Sequence, residues 1–315
     1  MGKNYTNQHI VPKRYLNRFG TANGKKTLIG TRTVEKGKPR FFLDSTANVG
    51  YVKNIYDVTD KSDPKYWEHF FAREIDTLCG RPMQNIIANV TLSQEDALVL
   101  SDQDKKVLSK VIIAQLMRIP ESFQYVTNSI YPRISAQVKE GIAAALPQFL
   151  IEKYGERLRS IELSEQTQKE LILNHAFNPD NFDRYCGILQ GGVWAVYFNT
   201  ERNVMPFATG DNPVLVESFG SKETGIFRNG LANPATCIFY PLSPAVAVAI
   251  YSRQGIIGSS IKQHDGRKML LNDLNYITQQ NIKIIAQAYY HSFLPQPLFD
   301  VIMYDMEYGL NTSDF

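Results

Sequence analysis

The sequence predicts an α+β protein, and three observations carry that prediction. A β-hairpin pattern opens the chain, helical periodicity fills its middle, and short β-rich runs bounded by Gly, Pro and Asn precede one last helix. Strands and helices that segregate along the chain describe α+β rather than a doubly wound α/β architecture. The first and last β-segments need pairing partners. They are expected to meet in one antiparallel or mixed sheet, with the helical block packed on it.

In chain order, the hairpin has turns at 20–24 and 35–39 and strands at 26–33 and 40–43, with a short edge strand within 48–58. Residues 64–89 read as a helix with Trp67, Phe70, Phe71, Ile75 and Leu78 on one face and a kink at Pro82. Glu74 falls among those apolar positions, whereas Glu68 and Asp76 read as solvent-facing. A second helix starts after Ser101, whose Ser-Asp-Gln-Asp supplies a cap and an acidic first turn, and stops before Pro120. Further helices are expected at 121–145, 147–154 and 164–176. Strands follow at 193–199, 207–209, 214–217, 237–241 and 245–251, then a helix at 272–288.

This organisation divides the chain into a β-rich part (1–63 and 192–290), a helical block (64–191) and a C-terminal tail (291–315). The first two read as one discontinuous domain, and the tail as aromatic and proline-punctuated with a mobile end.

Composition narrows the function classes. The 315 residues include 17 Phe and 17 Tyr, enough for a sizeable core and wrong for a disordered or coiled-coil chain. No window approaches about 18 uninterrupted apolar residues, so no membrane span is expected. The N-terminus lacks the apolar core of a secretory signal. Three scattered cysteines, Cys79, Cys186 and Cys237, suit a reducing compartment better than a disulfide framework. A soluble, cytoplasmic protein is the expectation.

Charge is uneven. Residues 1–40 hold ten Lys and Arg and one acid, Glu35, which makes them +9 against −6 for the remainder. Such a segment either holds an anionic ligand or nucleic acid, or docks on the acidic remainder and is neutralised.

Walker, dinucleotide-binding, nucleophile-elbow and HExxH motifs are absent. Compact polar groupings remain. Gln8 to Phe19 places His9 just ahead of a helical turn opened by Pro12, with Lys13, Arg14 and Arg18 off its apolar face. The positive helix end should keep His9 neutral, fit for a base, a metal ligand or a loop hydrogen bond. Asp211 and Asn212, before Pro213, suit either a tight turn or a carboxylate at a strand exit. Gln115 and Arg118 share a face of an apolar helix, so they form a core network or line a pocket. His69, His175, His264 and His291 show no ligand spacing and read as structural or exposed.

Together these pieces resemble the bacterial and phage domain-of-unknown-function family four-two-three-eight. The likeness rests on Gln8 to Phe19, an acid in the first long helix (Glu74), Gln115-x-x-Arg118-x-Pro120, Gly210 to Val214, Tyr240 to Pro244 and Leu271-Asn272. It spans about residues 7–290. Gly210 stands where the family usually has Ser. The resemblance implies no established activity, but groups polar residues as a shared site or a shared buried network would.

The leading expectation is a hydrolase, specifically a metal- or acid/base-assisted phosphodiesterase or nuclease of bacterial or phage conflict systems. Catalytic roles fall to His9, Asp211, Arg118, Gln115 and Asn212, substrate binding to Lys13, Arg14, Tyr15 and Arg18. A divalent metal, Mg²⁺ or Mn²⁺, would sit on His9, Glu74 and Asp211. The alternative is a non-enzymatic protein-binding factor, a phage- or defence-associated inhibitor or sensor that forms a homo-oligomer or a complex with a protein partner. An enzyme requires His9, Arg118 and Asp211 to converge on one cleft; a binding module leaves them buried and satisfied.

Overall fold

The computed structural model describes residues 7–59, 61–145, 164–219 and 230–308, together with 147, 150, 152, 155–157 and 162. Its helices and antiparallel or mixed sheets make the protein α+β. Most of the expected helix at 147–154 lies outside the described residues.

The strands form three sheets where one was expected. β6 (Val193–Asn199), β8 (Leu215–Ser218), β9 (Thr236–Pro241), β10 (Val246–Tyr251) and β11 (Lys268–Leu271) lie in the order β11-β6-β10-β9-β8. Both faces of this sheet are covered. Val246, Val248 and Ile250 of β10 join the main core, where the helix Asp102–Met117 buries Val111, Ile112, Ile113 and Ala114. The alternate residues Ala247 and Ala249 face Ile277 and Ile284 of the helix Leu274–Gln287. Period-two alternation with apolar residues on both sides is what a central, doubly covered sheet requires.

The N-terminal hairpin builds the second sheet. β3 (Lys26–Glu35) pairs with β2 (Thr21–Asn23), β4 (Lys38–Ser45) and β12 (His291–Leu294), and β12 pairs with β7 (Thr209–Gly210). Of the later expected strands only β7 joins the hairpin sheet, through a strand inside the expected tail; β8, β9 and β10 lie in the first sheet instead. That tail continues as the helix Gln296–Tyr308, whose Leu298, Phe299 and Ile302 are buried. The sequence hides this because β12 is only four residues long and gains its backbone partners from Thr209–Gly210 and from Gly30–Thr33 at the far end of the chain.

Gly30 of β3 makes that docking fit. A Cβ there would stand 2.4 Å from the Phe299 ring and 2.8 Å from Phe299 Cβ, so ring rotation cannot relieve the clash. Gly30→Ala is expected to lower stability by about 2 kcal/mol in urea unfolding, the scale of overpacking a filled site. Unchanged stability would mean that Phe299 does not pack on β3.

The third sheet is the pair β1 (Asn7–His9) and β5 (Tyr51–Lys53), with His9 opposite Tyr51. It delivers the opening motif to its place.

The expected helix at 64–89 is broken rather than kinked. The α-helix Tyr66–Phe70 winds into a π-turn at Phe71–Ile75, and a new helix, Arg81–Leu92, starts after Gly80 with Pro82 in its first turn. Pro lacks the N–H that a first turn leaves unpaired, so it starts a helix more readily than it bends one. The Ser101 cap holds as expected: Ser101 Oγ accepts from Asp104 N–H, and the Asp104 carboxylate accepts from Ser101 N–H. Among the described residues no helix is long and apolar enough to cross a membrane.

Candidate functional site

The opening motif is clamped by its own polar residues. Gln8 is fully buried; its Oε1 accepts from Tyr56 N–H (2.6 Å) and its Nε2 donates to Asp57 (2.5 Å). Gln115 Nε2 donates to the Ile10 carbonyl at 2.7 Å, which fixes the chain just after His9. Tyr15 is fully buried, where its hydroxyl meets Thr209 Oγ1 (2.8 Å) and donates to the Pro241 carbonyl (2.7 Å), and its ring stacks on Tyr240. Tyr15 therefore supports the turn from beneath and cannot contact substrate as expected. The Tyr240-Pro241 strand exit is its anchor.

Pro12 caps the turn Lys13–Leu16 instead of opening it, and that turn is only four residues long. The His9 pKa is lowered, as expected, but by burial first, with Arg118 and Lys13 adding to it and Asp76 opposing. A helix dipole is not the cause. His9 Nε2 is buried with no hydrogen-bond partner.

His9 lines a cavity of about 310 Å³ with Lys13, Arg14, Tyr56, Glu68 and Asp76. Glu68 Oε2 is also buried without a partner, and burial raises the Glu68 pKa, with Asp76 and Asp57 adding to the effect and Lys65 opposing it. The cavity thus combines a histidine held toward its neutral form with a carboxyl held toward its protonated form. Two cationic side chains complete it.

Arg118 is fully buried and does not line that cavity. Its guanidinium donates to Asp76 Oδ1 (2.9 Å) and Gln115 Oε1 (3.1 Å) and lies over the Phe71 ring at 5.3 Å. Burial works against its charge, but Asp76 and Tyr56 outweigh that and raise its pKa. Gln115 and Arg118 support the cavity from behind, through the Ile10 carbonyl, Asp76 and the Tyr56 hydroxyl that donates to the Arg118 carbonyl, and the Arg118 charge acts on His9 from there.

Asp211 belongs to another place. Its carboxylate accepts the N–H groups of Tyr289 (2.7 Å), Tyr290 (2.6 Å) and His291 (2.8 Å), and its own N–H donates to the His291 carbonyl. Burial pushes this carboxyl up to about 6, against the pull of those donors. Asn212 donates to Glu121, and its carbonyl accepts from Gln287. The Asp211 side chain holds the start of β12, whereas the Asn212 side chain reaches the helix Pro120–Tyr125 and its backbone carbonyl holds the end of the helix Leu274–Gln287. Gly210 suits the same junction, since a Cβ there would lie 3.2 Å from Ala288 Cβ.

Glu74 is exposed and pairs with Arg73 at 2.7 Å. The buried stripe runs Trp67, Phe71, Ile75 at steps of four, and past the π-turn it is Asp76, not Glu74, that lines the His9 cavity. The expected ligand set of His9, Glu74 and Asp211 is not assembled, and among the described residues no group of three or more His, Cys, Asp and Glu could hold a metal ion. The other histidines are structural or exposed; His69 pairs with Asp63 and His264 with Asp96.

The opening motif, the Gln115/Arg118 helix end, the Asp211 turn and the Tyr240 strand exit thus hold one another in place. A family model described as "Protein of unknown function (DUF4238)" matches residues 7–293. The chain belongs to DUF4238. No curated protein and no solved structure matches it. In this DUF4238 chain the match ends within β12, so the Gln296–Tyr308 helix lies outside it.

Two cavity residues, Glu68 and Asp76, escaped the sequence reading as solvent-facing. The one signal for them was their place beside a stripe spaced at four rather than at three and four.

Proposed function

We propose that this protein is a hydrolase of phosphodiesters that works by general acid–base catalysis at the His9 cavity. The observation that supports it is the pair of unpartnered buried atoms, His9 Nε2 and Glu68 Oε2, on one cavity rimmed by Lys13 and Arg14. His9 takes a proton from water as the water oxygen bonds to phosphorus. Glu68 gives its proton to the leaving oxygen as the old P–O bond breaks. Lys13 and Arg14 hold the phosphate oxygens, and Asp76 stabilises the imidazolium. Protons then return from His9 to Glu68 through solvent.

The pH dependence follows from the two shifts. His9, lowered from 6.5, becomes a base above a pKa on the acidic side of that value, and Glu68, raised from 4.5, remains an acid below a pKa above its own. The competent form, with neutral His9 and protonated Glu68, therefore gives a single optimum flanked by those two titrations. The test is cleavage of single- and double-stranded RNA and DNA across pH, with Mg²⁺, Mn²⁺ or chelator. A bell-shaped profile is expected, and His9→Ala and Glu68→Gln should each lower kcat/KM about 10²–10⁴-fold. His9→Ala should remove the acidic limb and Glu68→Gln the alkaline one. No cleavage by folded wild type, or full activity in both variants, overturns the reading.

A second reading, a binding protein without chemistry, is favoured by one fact. Gln115, Arg118, Asp211 and Asn212 are buried in hydrogen-bonded networks rather than gathered on a cleft. Binding of a partner without turnover in the same assay would select it.

A further inference from the structure

Arg14 also lines a second, larger cleft of about 560 Å³, with Asn17, Arg18, Arg81, Gln84 and Ser243. No Asp or Glu lines it, and none of its three arginines makes an ion pair among the described residues. Arg18 is the telling one. Its half-buried guanidinium donates only to neutral acceptors, the carbonyls of Arg14, Cys79 and Gly80, so burial lowers its pKa with no carboxylate to compensate. Partly desolvated charge without a counter-ion is unfavourable unless an anion completes it. The start of the helix Arg81–Leu92 adds to the field, since its cap residue, Gly80, provides no side-chain partner. Glycine also leaves the arginine room, since a Cβ on residue 80 would stand 3.1 Å from the Arg14 guanidinium.

We infer that this cleft is a phosphate-binding subsite that, with the His9 cavity, holds successive phosphates of a single-stranded nucleic acid. The strand assignment rests on the phosphodiesterase reading; the anion site stands on its own arginines. Arg14, common to both clefts, bridges phosphates on either side of the scissile bond. Cavities of about 310 and 560 Å³ can admit one strand but are too small for a duplex to enter.

The test is fluorescence anisotropy with a 5′-labelled single-stranded DNA octamer and the full chain, titrated over a range of salt. Wild type should bind with a steep salt dependence. Arg81→Ala and Arg14→Ala should each weaken binding about 5–10-fold and flatten the log–log salt slope by about 1. Lys262→Ala, an exposed cation away from both clefts, controls for net charge and should bind as wild type. Binding unchanged in the Arg14→Ala/Arg81→Ala double variant, no binding at low salt, or tighter binding of the duplex overturns the inference. Arg81-dependent binding without cleavage refutes the hydrolase and leaves the anion site standing. Cleavage at subsaturating substrate that ignores Arg81→Ala does the reverse.

Discussion

Arg118→Met is expected to destabilise the protein by about 3–5 kcal/mol, the scale of breaking a buried ion pair by removing one partner. The side chain is fully buried and holds Asp76 at 2.9 Å and Gln115 at 3.1 Å, and its own carbonyl accepts from Tyr56 Oη. Met retains much of the packing on Phe71 but leaves Asp76 without its cation and Gln115 Oε1 without a donor. Gln115 in turn fixes the Ile10 carbonyl, so the loss reaches the segment that carries His9. Asp76 is itself partly exposed and can be hydrated, which keeps the effect toward the lower end. Urea unfolding measures the loss, and thermal unfolding should show a fall of about 10 °C. Pairing the change with Asp76→Asn should recover about 1 kcal/mol or more, because the second substitution removes the stranded charge. A single variant as stable as wild type, or strictly additive losses, would falsify the account of Arg118 as a positioning residue.

Asp211→Ala should have an effect of similar size, again on stability and not on chemistry. Three successive N–H groups, those of Tyr289, Tyr290 and His291, converge on its carboxylate. Such a run of amides forms a small anion nest, and an unfilled buried donor costs about 1–3 kcal/mol. Tyr289 and Tyr290 are exposed, so water can reach part of the nest, and a total of about 3–5 kcal/mol is expected. Asp211→Asn should recover only part of it, since its NH₂ faces donors. The discriminating measurement is hydrogen exchange. Loss of protection should concentrate in β12 and the Gln296–Tyr308 helix, which β12 leads into, while the β6–β10 sheet keeps its own. If catalysis disappears in Asp211→Asn while β12 stays protected, Asp211 is not the strut described here.

These two residues show how the polar motifs divide. His9, Lys13, Arg14 and Arg18 meet open clefts, whereas Tyr15, Gln115, Arg118, Asp211 and Asn212 hold the walls. In the sequence both groups look alike, as short polar runs beside Pro and Gly. Burial separates them, and burial is a property of what packs on top.

The sequence alone determined the features that depend on neighbours a few residues away. The Ser101 capping box, the end of that helix before Pro120, the alternation in Val246–Tyr251 and the basic character of residues 1–40 are all local, and all are present. Tertiary structure decided the rest. β12 exists as a strand because β3 and β7 supply its backbone partners. Past the π-turn at Phe71–Ile75 it is Asp76 that lines the His9 cavity, while Glu74 stays exposed. Arg81 reaches the second cleft because a broken helix restarts beside Arg14. Local propensity fixes where an element begins and ends; only packing between distant segments fixes its phase and which polar atoms are left unpaired.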